Sequence, residues 1–316
     1  MNLLLLGNFD DAERAEWLAA LGAALPGQRL LTARDQAPAD TITAAIVANP
    51  PPGSLQGLPA LRLIQSLWAG VDRLLADATL PPGVPVARMV DPAMNAAMAE
   101  TALWAVLALH RGFFRYQAQQ RAGQWQAHGQ RRADEVPVLV LGAGQMGGTT
   151  AARLAALGYP VTLWRRDAGP LRLPLAAGLP LLHGAAALQR ALAGTQVLVN
   201  LLPLTPDTRG LVNAELLARL PRGAGLVNLA RGAHVVDDEL LAALDSGHLG
   251  HAVLDVFHTE PLPAGHRFWA HPQVSVLPHA AAATDARSAA AVVAHNIEAL
   301  VSGAPLAHLV TPGAGY

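Results

Sequence analysis

The sequence predicts an α/β protein made of two doubly wound domains, each built on a mainly parallel sheet. Short apolar runs rich in β-formers alternate with longer stretches of helical period, the pattern that puts helices on both faces of such a sheet. The chain has 316 residues, more than a single hydrophobic core ordinarily serves. Near its middle, "VLVLGAGQMGG" places a glycine-rich turn between a strand-like run and a helix-like one, which is how a dinucleotide-binding sheet begins.

In chain order, residues 2–6, 44–47, 61–66 and 86–90 read as buried strands. Between the first two, "DDAERAEWLAALGAAL" reads as a helix with acids in its first turn, where they suit the helix dipole. These elements form a small doubly wound sheet of their own. From residue 95 to about 121 the apolar positions keep a helical repeat, giving the longest helix expected. A polar, irregular passage, "AGQWQAHGQRRADE", follows it. Further strands are expected at 137–141, 161–164, 197–202, 224–230, 251–257 and 274–278. Six strands with intervening helices complete a dinucleotide fold. A last helix over 284–302 ends in a Gly/Pro-punctuated tail, and periodicity does not say which sheet that tail joins. The domain boundary is expected near Asn95.

Composition narrows the function classes. Apolar residues make up 52% of the chain and charged residues 14%, with a formal net charge of −1. A folded core is expected and disorder is not. Nothing in this balance forms an electrostatic footprint for nucleic acid or an anionic membrane, which leaves small molecules and other proteins as partners. The chain has no cysteine, so disulfides, thiolate metal sites and cysteine nucleophiles are excluded. The opening "MNLLLLGNFDDAERAEWL" lacks a basic segment before its apolar run and reads as a first buried strand. Glu100 interrupts the apolar stretch around it, and no uninterrupted run reaches the roughly 18 residues of a membrane span. A cytoplasmic location is expected.

The glycine turn is the first chemical signal. Gly142, Gly144 and Gly147, with Gln145 and Met146 between them, spell G-x-G-x-x-G. The first glycine permits the tight turn, the second lets the backbone approach a pyrophosphate, and the third allows close helix–strand packing. The helix that follows offers its unsatisfied N–H groups to the phosphates. A glycine-rich turn without a ligand is the alternative, and the flanking strand and helix argue against it.

After the second strand of this unit, an acid normally accepts hydrogen bonds from the adenosine ribose of NAD. Here the strand ends in Trp164, Arg165 and Arg166, with Asp167 only afterwards. A carboxylate repels a 2′-phosphate, whereas a guanidinium binds one bidentately or stacks on adenine. NADP(H) is therefore the preferred cofactor and NAD(H) the alternative, with Asp167 its candidate ribose acceptor. Two surface arginines that merely solubilise a strand end are the structural alternative.

Three later segments each carry a charged or titratable residue just past a buried strand: Arg231 in "NLARGAHV", Glu260 in "LDVFHTEPLP" and His279 in "LPHAAAAT". In an open parallel sheet such strand ends line the ligand crevice. Taken singly, Arg231 reads equally as a solvated loop arginine, Glu260 as a loop acid before proline, and His279 as a structural histidine.

Together with the glycine turn and "NLLPLTPDTRG", in this order and spacing, these segments resemble the D-isomer-specific 2-hydroxyacid dehydrogenases, and within them the glyoxylate/hydroxypyruvate reductase branch. The likeness extends over nearly the whole chain, from "LWAGVDRLL" to a closing "GY". It implies a Rossmann dinucleotide-binding domain, residues 96–284, inserted into a smaller flavodoxin-like substrate-binding domain, residues 1–95 and 285–316. It also implies a homodimer formed largely through the cofactor domains.

The resemblance assigns roles residue by residue. His279 is the general acid that protonates the carbonyl oxygen during reduction, and Glu260 holds its other ring nitrogen and favours the imidazolium. Arg231 binds the substrate's carboxylate and polarises its carbonyl with a planar fork. Ala69 and Gly70 cradle that carboxylate through backbone N–H groups, and Trp68, where many relatives have a small residue, shapes the pocket or simply packs. Leu202, Pro203, Thr208, Leu229 and Ala230 lie along the cofactor, and Asp255 contacts its carboxamide region.

The function so implied is reduction of a short 2-oxo acid, glyoxylate or hydroxypyruvate, by NADPH. Another D-2-hydroxyacid dehydrogenase using NAD stands beside it, as does a nucleotide-sensing regulator, since the C-terminal-binding-protein corepressors resemble the same fold. No basic patch or docking tail favours the regulator. Of the 12 histidines, none falls in an H-x-x-x-H or H-E-x-x-H arrangement backed by acids, and no metal is expected.

Overall fold

Apolar runs covered on both faces favour parallel pairing. The computed structural model, which describes residues 1–169, 175 and 178–311, arranges them in two sheets whose strand pairs are all parallel. The closing "GY" lies outside the described residues. The chain divides into two compact units, residues 1–94 with 284–316, and residues 95–283.

The first unit holds β1 (Asn2–Gly7), α1 (Asp11–Ala24), β2 (Arg29–Leu31), β3 (Ile42–Ala48), β4 (Leu63–Ser66), α2 (Asp72–Leu75) and β5 (Val86–Ala87). Its sheet runs β2-β1-β3-β4-β5, the flavodoxin-like winding. The sequence reading passes over β2, a three-residue edge strand that begins on an exposed arginine and buries only Leu31. Helix α1 starts where Asp10 accepts from Glu13 N at 2.8 Å while Glu13 reaches back to Asp10 N, a capping box that satisfies two orphan donors. Its Trp17 and Leu21 are buried.

Helix α3 (Pro92–His110) crosses the division between the units, and α4 (Phe113–Arg121) follows. The single helix expected over 95–121 is thus two, parted at Gly112, whose φ of 68° is left-handed. That conformation stops a helix at little cost only for glycine. Despite Glu100, α3 is long and apolar enough to cross a membrane by length and composition, but it buries Ala99, Ala102, Ala105 and Val106 in a protein core.

The second unit continues through β6 (Val138–Leu141), α5 (Gln145–Ala156), β7 (Val161–Arg165), β8 (Leu181–His183), α6 (Ala185–Leu192), β9 (Val197–Asn200) and α7 (Ala214–Ala218). It closes with β10 (Ala224–Asn228), α8 (Asp237–Asp245), β11 (Leu249–Leu254), α9 (Arg267–Ala270) and β12 (Val274–Val276). The sheet order is β12-β11-β10-β9-β6-β7-β8, a Rossmann winding of two halves about β6 with one strand added. It has seven strands rather than six. The missed one, β8, is three residues long at the sheet edge and only partly buried, so no apolar run announces it. Alternation sends Leu139 and Leu141 to one core and Val138 and Val140 to the other.

Helix α10 (Ala286–Ser302) returns to the first unit. Asp285 caps it by accepting from Arg287 N at 2.9 Å. Buried Asn296 donates to Gln65 Oε1 at 2.7 Å on β4 and accepts from Ala307 N at 2.7 Å. The tail then bridges β5 antiparallel at Ala87 and Leu309. These bonds give the tail its sheet.

Candidate active site

Because every strand of the second sheet is parallel, all their carboxyl ends lie at one edge. The glycine turn leaves β6 there, Arg165 and Arg166 end β7, the 201–210 loop leaves β9, Arg231 follows β10, Glu260 follows β11 and His279 follows β12. The last three strands are neighbours, so residues far apart in sequence emerge side by side.

The glycine turn has the geometry that its motif requires. Gly142 has φ of 112°, and a Cβ there would lie 2.6 Å from Leu201 O. A Cβ on Gly147 would sit 1.8 Å from Gly142 O, so this position must be bare for α5 to meet the sheet. Gly144 differs: a Cβ there would meet no atom within 4 Å. Open space therefore faces the N-terminus of α5, where the N–H groups of the first turn point outward. The donors and the room fit a pyrophosphate.

At the end of β7 the two arginines part from the tryptophan. Trp164 is 4% exposed, packs in the core with Leu139 and Leu188, and donates from Nε1 to Gly184 O at 2.9 Å. Its indole therefore fills the core at the end of the strand. Arg165 is half-buried and Arg166 exposed. Arg166 holds Asp167 through Nε at 3.1 Å and Nη2 at 3.0 Å, and its Nη1 pairs with Asp207.

Glu260 and His279 are joined. His279 Nδ1 lies 2.7 Å from Glu260 Oε2, while Glu260 Oε1 accepts from Phe257 N at 2.9 Å. One carboxylate oxygen is thus fixed to the main chain and the other orients the ring. His279 itself has φ of 53°, a left-handed conformation that a non-glycine residue adopts only under constraint. The constraint is Asp255, 1% exposed, whose main-chain O accepts from His279 N at 2.9 Å and whose carboxylate accepts from Ala280 N at 2.7 Å and Ala281 N at 3.1 Å. Burial raises the Asp255 carboxyl above the ordinary carboxylate range, against the lowering effect of those two N–H donors. In this structure Asp255 shapes the turn that carries His279.

Arg231 is placed by a network that sequence reasoning missed. Asn200 and Asn228, both fully buried at the ends of β9 and β10, are linked by a 3.0 Å hydrogen bond from Asn200 Nδ2 to Asn228 Oδ1. Asn228 Nδ2 donates to Arg231 O at 3.0 Å, and Asn200 Oδ1 accepts from Leu202 N at 3.3 Å. Buried His234 spans Arg231 O at 3.1 Å and Pro203 O at 3.2 Å. A Cβ on Gly232 would come within 2.0 Å of the Phe257 backbone, so the turn after Arg231 lies directly on the segment leading to Glu260. An asparagine closing each of two apolar strands, in "VLVN" and "GLVN", is the signal that marks this network.

A family model for "D-isomer specific 2-hydroxyacid dehydrogenase, NAD binding domain" matches residues 103–281. The chain is 41% identical to a glyoxylate/hydroxypyruvate reductase A of Serratia proteamaculans over the whole of both chains. The chain belongs to the D-isomer-specific 2-hydroxyacid dehydrogenase family. Among solved structures, a member from Xanthobacter autotrophicus Py2 in complex with NADPH and MES is similar with a TM-score of 0.93 at 41% identity, covering 100% of this chain and 99% of that one. An NADPH-dependent glyoxylate/hydroxypyruvate reductase from Sinorhizobium meliloti, in complex with NADP and sulfate, follows at 0.88 and 36%, with the same coverage.

Within this family member, the remaining expected residues divide by burial. Leu202, Leu229 and Ala230 are buried beside the strand ends. Thr208 is 4% exposed and its hydroxyl donates to Pro203 O at 2.8 Å, closing the 203–208 turn. In the other unit, Trp68, Ala69 and Gly70 are half-buried in the segment after β4. Ser66 Oγ there accepts from Trp68 N at 3.0 Å, and Trp68 O accepts from Met89 N at 3.1 Å. These bonds hold the turn on which all three residues sit.

Proposed function

We propose that this protein is an NADPH-dependent reductase of a short 2-oxo acid, glyoxylate or hydroxypyruvate, giving glycolate or D-glycerate. The observation that carries the reading is the 2.7 Å Glu260–His279 pair on strand ends adjoining that of Arg231. The names of its relatives in Serratia and Sinorhizobium support the same substrate class, and bound NADPH and NADP in two similar structures support the cofactor.

NADPH, when bound, supplies the hydride that reaches the carbonyl carbon. Glu260 occupies Nδ1 of His279, which leaves Nε2 to give its proton to the carbonyl oxygen. Arg231 pairs with the substrate carboxylate and stabilises the negative charge that develops on that oxygen. Asp255 and the Asn200–Asn228 pair hold the turns carrying His279 and Arg231, so neither group has to reorganise during reaction. Ala69 and Gly70 are assigned to the substrate carboxylate, and Trp68 to the pocket wall, on the resemblance alone. Arg165 and Arg166 meet the 2′-phosphate at the end of β7.

The same reading makes the protein a cytoplasmic homodimer. The test is a panel of 2-oxo acids assayed for oxidation of NADPH and NADH by the purified protein, with wild type and Arg166→Ala compared. Turnover of glyoxylate or hydroxypyruvate is expected, with NADPH favoured about ten- to hundredfold, as one charge-assisted contact allows. Activity with NADH alone, or a cofactor ratio indifferent to the substitution, overturns the cofactor assignment. A flat panel overturns the enzyme.

A further inference from the structure

The pair formed by Arg166 and Asp207 crosses the cofactor edge of the sheet. Strand β6 lies between β7 and β9, and the glycine turn leaves its carboxyl end. Arg166 stands past the end of β7 on one side, and Asp207 stands in the loop past β9 on the other. The ion pair between them therefore joins the strand ends on either side of the glycine turn. Asp207 is not on a loose segment. Thr208 Oγ1 accepts from Thr205 N at 2.8 Å and donates to Pro203 O at 2.8 Å, and Arg209 N donates to Thr205 O at 3.0 Å. These bonds fasten the turn on both sides of Asp207 and present its carboxylate to the guanidinium.

We propose that Asp207 is a specificity-setting residue, whose carboxylate competes with the 2′-phosphate of the cofactor for the Arg166 guanidinium. The inference rests on the reading that Arg166 meets that phosphate. Asp167 holds the Nε edge of the guanidinium, so the Nη1 end, which Asp207 engages, is the end presented to a third group. Arg166 is 43% exposed and Asp207 67%. A pair so hydrated contributes little, roughly two- to fivefold in an equilibrium constant. A phosphate carrying close to two negative charges exceeds a single carboxylate as a partner for arginine. Binding of NADPH thus exchanges one anion for another, whereas NADH leaves the pair intact. Asp207 lowers affinity for the phosphorylated cofactor alone, both by occupying the guanidinium and by repelling the phosphate.

The test is Asp207→Asn, which keeps the shape of the side chain and removes its charge. Dissociation constants for NADPH, NADH and the fragment adenosine 2′,5′-bisphosphate are measured by calorimetry on the purified full chain, without turnover. NADPH and the bisphosphate are expected to bind about two- to fivefold tighter than to wild type, and NADH unchanged. The gain should shrink in 0.5 M salt, where the Debye length falls to about 4 Å. Unchanged or weaker NADPH binding overturns the proposal, and so does an equal gain for NADH. Arg166→Ala separates this from the reading beneath it. If that substitution abolishes the NADPH preference while Asp207→Asn has no effect, the competition is wrong and the cofactor assignment stands. If Arg166→Ala leaves the preference intact, the assignment itself fails.

Discussion

His279 and Glu260, nineteen positions apart in sequence, meet at 2.7 Å through Nδ1 and Oε2. Each sits on the turn after its own strand, and because those strands are neighbours in a parallel sheet the two turns meet. The pair holds the ring in one orientation with its second nitrogen available. His279→Ala is expected to lower kcat by about 10²- to 10⁴-fold, the usual cost of losing a general acid. The dissociation constant for NADPH should stay within about twofold, since calorimetry reads binding without proton transfer. A matching loss of cofactor affinity would mean that the ring is a binding group.

Glu260 acts through His279, and two substitutions separate its charge from its geometry. Glu260→Gln removes the charge and keeps one carbonyl oxygen, enough for Phe257 N or for the ring, whereas Glu260→Ala removes both acceptors. Single-turnover rates are expected to fall in the order wild type, Gln, Ala, with the Gln variant closer to wild type. Equal rates for Gln and Ala would mean that charge alone matters.

Arg231→Lys should fail although it keeps the positive charge. One ammonium does not reproduce a planar fork that spans carboxylate and carbonyl. The loss should appear in kcat as well as KM, because the contact strengthens as charge develops on oxygen. Steady-state kinetics that show a raised KM with kcat intact would reduce Arg231 to a ground-state binder.

The glycine turn predicts a contrast between two alanines. Gly147→Ala puts a Cβ 1.8 Å from Gly142 O, a backbone collision that should cost several kcal/mol, roughly 3 or more, and lower the urea midpoint. Gly144→Ala meets no atom within 4 Å, so the protein should unfold at the wild-type midpoint yet bind NADPH at least about tenfold more weakly, because the methyl stands where the pyrophosphate approaches. Undiminished NADPH binding by the Gly144 variant would remove the phosphate from that position.

Stability should carry a pH signature from His251. Its ring stacks on Phe114 at 4.0 Å and its Nε2 lies 2.9 Å from Ser275 Oγ. Burial, with a smaller contribution from the charge of His271, lowers its pKa from 6.5 to about 4. Between those values the unfolded chain binds a proton that the folded one refuses, so stability rises with pH. The contribution is complete above about 6.5 and is lost as pH falls towards about 4, a change on the order of 3 kcal/mol. His251→Phe removes the titrating group, and urea midpoints at pH 4.5 and 7.5 should then lie closer together than in wild type. An unaltered gap would assign the acid sensitivity to other groups.

Much of this site was legible in the sequence because it is written in local rules. The turn at Gly142, Gly144 and Gly147 follows from what a tight turn and a helix N-terminus require of the backbone, and the missing acid at Arg165 follows from the chemistry of a ribose against that of a phosphate. Placing Arg231, Glu260 and His279 after buried strands needed only apolar runs and their ends. Tertiary structure decided what those residues touch. The Glu260–His279 bond, the hold of Asp255 on the 279–281 turn and the exchange between Asn200 and Asn228 depend on which strands are neighbours, and strand order is not a local property. Trp164 shows the same limit from the other side: its place at a strand end does not give the direction of its indole, which is set by the core it fills. Likewise β2 and β8, each three residues long at a sheet edge, owe their existence to a partner strand rather than to their own composition. What periodicity and turn chemistry encode can be read one segment at a time; what long-range pairing encodes exists only once the segments have met.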